Sequence, residues 1–135
     1  MTDGDFFNGV QSGLTIWNVE QHIPGQEIRT VVLALINGSI AYANGENATY
    51  AGVEVIDTTD KNEPFSGYMT VLFKDGSISN QTFEGEATIN NGPGQVSGIG
   101  TWRMESGVGR FATQRGSGQF TWAIDGDKYH AEFRE

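Results

Sequence analysis

Apolar and polar positions alternate along most of this chain, and glycine paired with asparagine or aspartate breaks the alternation at short intervals. Residues 128–133 show the pattern most cleanly: Tyr129, Ala131 and Phe133 fall on one side, Lys128, His130 and Glu132 on the other. A period of two marks a half-buried β-strand, because successive side chains point to opposite faces of the pleat. The same reasoning predicts strands at 14–20, 28–36, 39–43, 48–56, 65–74, 77–89, 96–104, 109–113 and 117–124, all rich in residues that suit a pleated surface. Asn37-Gly38, Asn44-Gly45, Asp75-Gly76, Asn91-Gly92 and Asp125-Gly126 separate runs of this kind. Such pairs suit two-residue hairpin turns, whose central positions need positive φ. No segment combines a 3.6-residue apolar period with a capping signal, so little helix is expected.

The expectation is therefore an all-β chain: one antiparallel up-and-down β-barrel of about eight strands, with residues 1–12 as a loose or covering segment. Consecutive hairpins favour a barrel, because sandwiches need a long crossover connection. Eight strands enclose a space that side chains fill or that holds one small ligand. Two runs are apolar on both faces. In 65–73, Phe65, Met69, Val71 and Phe73 point one way and Tyr68 and Leu72 the other, while 31–36 reads Val-Val-Leu-Ala-Leu-Ile. A wall facing water should alternate with polar residues, so a homo-oligomer, dimer or trimer, is expected to cover it.

At 135 residues the chain suits one domain, and the absence of cysteine removes disulfides, thiolate metal sites and thiol nucleophiles. Eight basic residues against 17 acidic ones give a net charge of −9, which disfavours nucleic acid and anionic lipid as partners. Residues 1–99 hold twelve of the acids against Arg29, Lys61 and Lys74. That imbalance reads either as a solubilising surface or as a face selecting a cationic or uncharged partner. No apolar run reaches the roughly 18 residues of a membrane span, and the first residues lack a secretory pattern, so a cytoplasmic location is expected.

Several stretches resemble a known family. They are Phe65-Ser-Gly-Tyr-Met-Thr-Val-Leu-Phe73, Asp75-Gly-Ser-Ile78, Phe83-Glu-Gly85, Gly107-Val-Gly-Arg-Phe-Ala112 and Gly116-Ser-Gly-Gln-Phe120. Together they resemble the allene-oxide-cyclase-like and dirigent-like barrel superfamily, calycin-like in outline. The resemblance implies an oligomeric barrel with an apolar pocket at one end, and cofactor-free cyclases, isomerases or stereochemistry-guiding proteins as its relatives. It also implies that Asn18, Glu20 and Glu54 contribute to the pocket. The chain departs from plant cyclases in lacking cysteine and in carrying Glu54 where an apolar or thiol side chain is expected.

Two carboxylates are the candidate acid–base groups, Glu20 and Glu54. Glu20 shares a strand face with Leu14, Ile16 and Asn18, and strand parity points Trp17 outward unless a bulge intervenes. Inside a low-dielectric lumen its pKa would rise and it would exchange protons; at a solvated strand end it would be ordinary. For Glu54, simple amphipathic logic places Val53 and Val55 inside and the acid outside, while the resemblance implies the reverse. Asn18, Tyr50, Tyr68, Phe83, Trp102, Phe120 and Trp122 are the candidate ligand-binding residues, able to stack on a small apolar or aromatic molecule or simply to fill a core. Glu84 and Glu86 share a face, as a glycosidase pair would, but read better as a solvated stripe opposite Phe83. Neither His22 nor His130 has metal-ligand spacing, and the glycines near 107 lack the Lys-Ser/Thr of a phosphate loop. No cofactor is expected. The leading reading is a barrel binding a small, mostly apolar molecule, with isomerase or cyclase chemistry through one carboxylate; the alternative is a packed scaffold barrel.

Overall fold

The structure, a computed structural model, describes residues 8–26, 29–59, 63–89, 95–125 and 128–134. Eight strands follow one another: β1 (Gly9–His22), β2 (Thr30–Tyr42), β3 (Asn47–Thr58), β4 (Glu63–Phe73), β5 (Ile78–Ile89), β6 (Gln95–Val108), β7 (Ser117–Asp125) and β8 (Lys128–Arg134). Each pairs antiparallel with the next, and β8 pairs back onto β1, so the sheet closes into a barrel with no free edge. Among the described residues no helix is long and apolar enough to cross a membrane.

Three local expectations are corrected. The first strand begins at Gly9 rather than Leu14, and residues 9–14 are the part of β1 that zips to β8 and shuts the barrel. Glycine and short polar residues hid it, because close approach there matters more than hydrophobic pattern. Asn37-Gly38 is not a turn: β2 runs straight through it, with Gly38 paired to Gly13 on one side and Tyr50 on the other. The stretch 109–113 is not a strand, since Gly109–Phe111 forms a single 3₁₀ turn with Gly109 at φ +70°. Asn44-Gly45 and Asp75-Gly76 do form turns, with Gly45 and Gly76 at positive φ and Asp75 accepting a hydrogen bond from the Ser77 N–H at 2.8 Å. Asn91-Gly92 and Gly126 lie outside the described residues, as do residues 1–7 of the expected N-terminal segment.

One end of the barrel is stoppered. Phe111 is buried there, 4.9 Å from Phe73, which in turn stacks on Tyr42 at 5.2 Å. Arg110 lies over the Phe73 and Phe111 rings and forks onto Glu46 in the β2–β3 turn, with Nη1–Oε1 at 2.9 Å. Its Nε also lies 3.7 Å from Asp75 in the β4–β5 turn. One guanidinium thus ties three connections together over a plug of rings.

The pairing is staggered around the wall. From Gly9 the cross-strand partners run through Phe133, Phe120, Gly100 and Gly85, then through Phe65, Ile56 and Val32, and re-enter β1 at Glu20. A closed sheet requires such an offset, and it accompanies strand tilts of about 35–45°. Rings and glycines sit side by side in this row. A Cβ built on Gly85 would meet Phe65 at 2.8 Å and one on Gly9 would meet Phe133 at 2.9 Å, and Phe120 leans in the same way across Gly100. The rings therefore recline along the wall instead of standing toward the barrel axis.

Candidate functional site

Because the rings recline, the lumen keeps a cavity of about 520 Å³. Its lining is mostly apolar, from every strand, and it reaches solvent at the end opposite the Arg110 clasp. There Asn18 and Glu20 line the lumen and remain exposed.

Glu54 is the central feature. In β3 it pairs with Ala34 on one side and Gly67 on the other, and Ala34 pairs in turn with Asn18. All face inward, and Glu54 lines the cavity. Val53 and Val55 face outward at 42% and 43% exposure, so the amphipathic argument about this strand is reversed. Among the described residues no hydrogen bond or ion pair reaches the Glu54 carboxylate. Burial in the apolar lumen alone pushes its carboxyl up to about 7. A carboxyl near that value is poised to hold or release a proton at neutral pH.

Two tyrosines share the lumen with Glu54, Tyr50 from its own strand and Tyr129 from β8. Tyr50 reaches over Gly38 and Gly13, its hydroxyl donating to the Ser12 carbonyl at 3.4 Å. Any side chain at Gly13 would strike that hydroxyl, which is why the row needs glycine there. Burial raises the Tyr50 phenol, a hydrogen bond from Gln11 partly offsets this, and the Glu54 charge raises it further. Tyr129 is raised by burial first, then by Tyr50 and Glu54. Both phenols therefore stay neutral hydrogen-bonding groups across the physiological range.

The other sequence-predicted residues divide as follows. Asn18, Glu20, Tyr50, Phe83, Trp102, Phe120 and Trp122 line the cavity with Glu54. Phe65 meets Phe83, Phe120 and Trp122 at 6.3, 6.1 and 5.4 Å, forming an aromatic wall. Trp102 donates to the Arg134 carbonyl at 3.2 Å, whereas the Trp122 indole lies over Gly98 with its Nε1 buried and unpartnered. Tyr68 is corrected: it sits on the outer face at 43% exposure, because β4 turns Phe65, Met69, Val71 and Phe73 inward. The face-mates expected for Glu20 are also corrected. A bulge between Thr15 and Trp17 adds Ile16 as an extra residue, so Thr15 rather than Ile16 shares the inner face with Asn18 and Glu20, and Ile16 is 56% exposed. Trp17 points outward, as parity required.

Sequence reasoning missed a deep polar patch. Gln11, Ser79 and Gln81 are buried on the inner wall, with Gln81 donating to Ser79 Oγ at 3.1 Å and Gln11 Nε2 3.9 Å from Met69 Sδ. Their signal was parity alone, since Ser79 and Gln81 alternate in step with Phe83. Glu63 at the rim was also missed; it lines the cavity and accepts a hydrogen bond from Thr58 at 2.8 Å. Glu84 and Glu86 are exposed on the outside. Among the described residues no group of three or more His, Asp or Glu is placed to hold a metal ion. Comparison with known proteins finds no matching family model, no matching curated protein and no matching solved structure.

Proposed function

We propose that this barrel takes a small, mostly apolar molecule into its lumen without a cofactor, and that Glu54 is the proton donor and acceptor through which it isomerises or cyclises that guest. The observation that carries this reading is a carboxyl with no partner among the described residues, raised to about 7 by burial, inside an apolar cavity of about 520 Å³. That volume lies in the usual range for small-molecule sites, which are mostly apolar with a few polar groups to fix orientation. Confinement supplies the reacting conformation and excludes water, and a carboxyl with its pKa near the working pH exchanges protons most effectively. Gln11, Tyr50 and Tyr129 are the neutral groups available to orient a carbonyl or hydroxyl beside it. The resemblance to allene-oxide-cyclase-like barrels points to the same class of cofactor-free chemistry.

Titration of the purified protein with an environment-sensitive apolar dye tests this. Saturable one-site binding, displaced by hydrophobic small molecules, is expected. Glu54→Gln is expected to keep dye binding while abolishing turnover of whatever guest is converted. A folded protein that binds no apolar probe removes the reading and leaves a scaffold barrel.

We infer as well that a second copy of the chain covers the outer face of β1–β4. Trp17, Leu35, Val53 and Tyr68 form one outward row across these strands, and Val19, Leu33 and Val55 form the next. With Leu72, the exposed members of these rows are each 40–51% open to solvent. A monomer rarely leaves so large a patch to water.

A further inference from the structure

We infer that the guest of this lumen is a cation: an apolar molecule bearing a protonated amine, whose ammonium pairs with the Glu54 carboxylate while its hydrocarbon body lies against Phe65, Phe83 and Trp122. This rests on the proposed binding role of the cavity and names the class of molecule that the cavity selects.

Among the described residues, the charged side chains lining the cavity are Glu20, Glu54 and Glu63; no Lys, Arg or His joins them. Among the described residues, an arginine near each end is already engaged. Arg29 forks onto Asp57, with Nε–Oδ1 at 3.0 Å and Nη2–Oδ2 at 2.9 Å, and Arg110 forks onto Glu46 beyond the plug. Nothing among the described residues therefore supplies a positive charge to Glu54.

Three kinds of guest then fare differently. A carboxylate-bearing molecule, such as a fatty acid, would bring a fourth negative charge into a low-dielectric space and find no partner. A neutral molecule would leave Glu54 as it stands, a half-buried acid without a counter-charge among the described residues. A protonated amine would give the carboxylate the opposite charge that burial makes valuable. Aromatic faces add to the selection, because indole and phenyl rings attract a cation at close range. The raised titration of Glu54 agrees with this, since burial raises it and no opposite charge among the described residues offsets that burial. With an ammonium beside it Glu54 works ionised, as anchor and, where turnover follows, as base.

The affinity for an amine must then track the ionisation of Glu54. The titratable groups that face it are Tyr50 on its own strand, Tyr129 on β8, Glu20 on β1 and Glu63 on β4. The lining residues of β2, and Phe83, Gln81 and Ser79 of β5, carry no charge. Both tyrosines are raised above their ordinary range and stay neutral below pH 9.

The test uses three matched probes on the full chain: 4-phenylbutylamine, 4-phenylbutanol and 4-phenylbutanoate, with Kd read by displacement of an apolar dye. At pH 8 the amine should bind about tenfold or more tighter than the alcohol, and the carboxylate weakest. From pH 6 to pH 8 the amine affinity should rise about tenfold while that of the alcohol stays flat. Glu54→Gln should bring the amine to the level of the alcohol and leave the alcohol within about threefold of its original Kd. An amine no better than the alcohol overturns the inference while leaving the cavity role intact. An amine preference that survives in Glu54→Gln, or that is flat with pH, overturns the assignment to Glu54. If none of the three displaces dye and no dye binds, the cavity role itself fails.

Discussion

Replacing Glu54 with glutamine keeps the shape of the side chain and removes its titration, which isolates what burial of this carboxyl costs the fold. The group moves from an ordinary 4.5 to about 7 on folding, so the native state holds the proton more tightly than the unfolded chain. Its contribution is therefore fully present below pH 4.5 and is lost as pH rises through 7. A displacement of that size corresponds to about 3 kcal/mol once the carboxylate is fully ionised. Relative to the original protein, Glu54→Gln should gain about 3 kcal/mol at pH 8 and about 1 kcal/mol at pH 5. Urea denaturation followed by tryptophan fluorescence between these pH values reads the difference. With a slope of about 1.5 kcal/mol per molar urea, the midpoints should separate by about 2 M at pH 8 and by much less at pH 5. A separation that does not change with pH would mean that the Glu54 carboxylate is solvated or already partnered in the folded state, and would overturn its placement in the lumen.

Further outcomes follow from other parts of the barrel. Gly67→Ala places a methyl where the Phe83 ring and the Val53 carbonyl lie, and should cost about 1–3 kcal/mol by thermal denaturation. It should also weaken dye binding, because the displaced ring swings into the lumen; undiminished affinity would count against reclining rings as the source of the cavity. Arg110→Met keeps the contact with the rings but removes the fork to Glu46, and should cost about 1 kcal/mol near neutrality. Arg110 holds the Glu46 carboxyl below its usual range, so this loss should fade in acid as Glu46 protonates, and a loss that grows in acid would contradict the clasp. Val53→Glu puts a charge into the middle of the outer apolar row and should turn a dimer or trimer into a monomer in sedimentation velocity. An original protein that sediments as a monomer would remove the second copy.

The barrel was legible because its alternation, turn pairs and β-branched runs all pointed the same way, most plainly in β8 with Tyr129, Ala131 and Phe133 inward. The lumen was harder to read. On β3 and β4 both faces are apolar, so a rule that sends hydrophobic residues inward had no contrast to work with and placed Val53 and Val55 inside instead of Glu54. The bulge at Ile16 left no mark in composition, yet it resets which residues of β1 look inward. Gly38 looked like a turn because a turn and a close approach of two strands ask for the same residue; only its place opposite Gly13, where any Cβ would strike the Ser12 carbonyl, distinguishes them. Gln11, Ser79 and Gln81 were passed over because polar residues on a strand usually face water, and a hollow barrel is the case where some do not.

Among the described residues, the stopper of rings beneath Arg110 leaves the vessel a single door. Whatever occupies it must depart by the way it arrived, so reactant and product cannot pass through in file. Each would obstruct the other at the same threshold, and any product retained should act as a competitive inhibitor of the next guest.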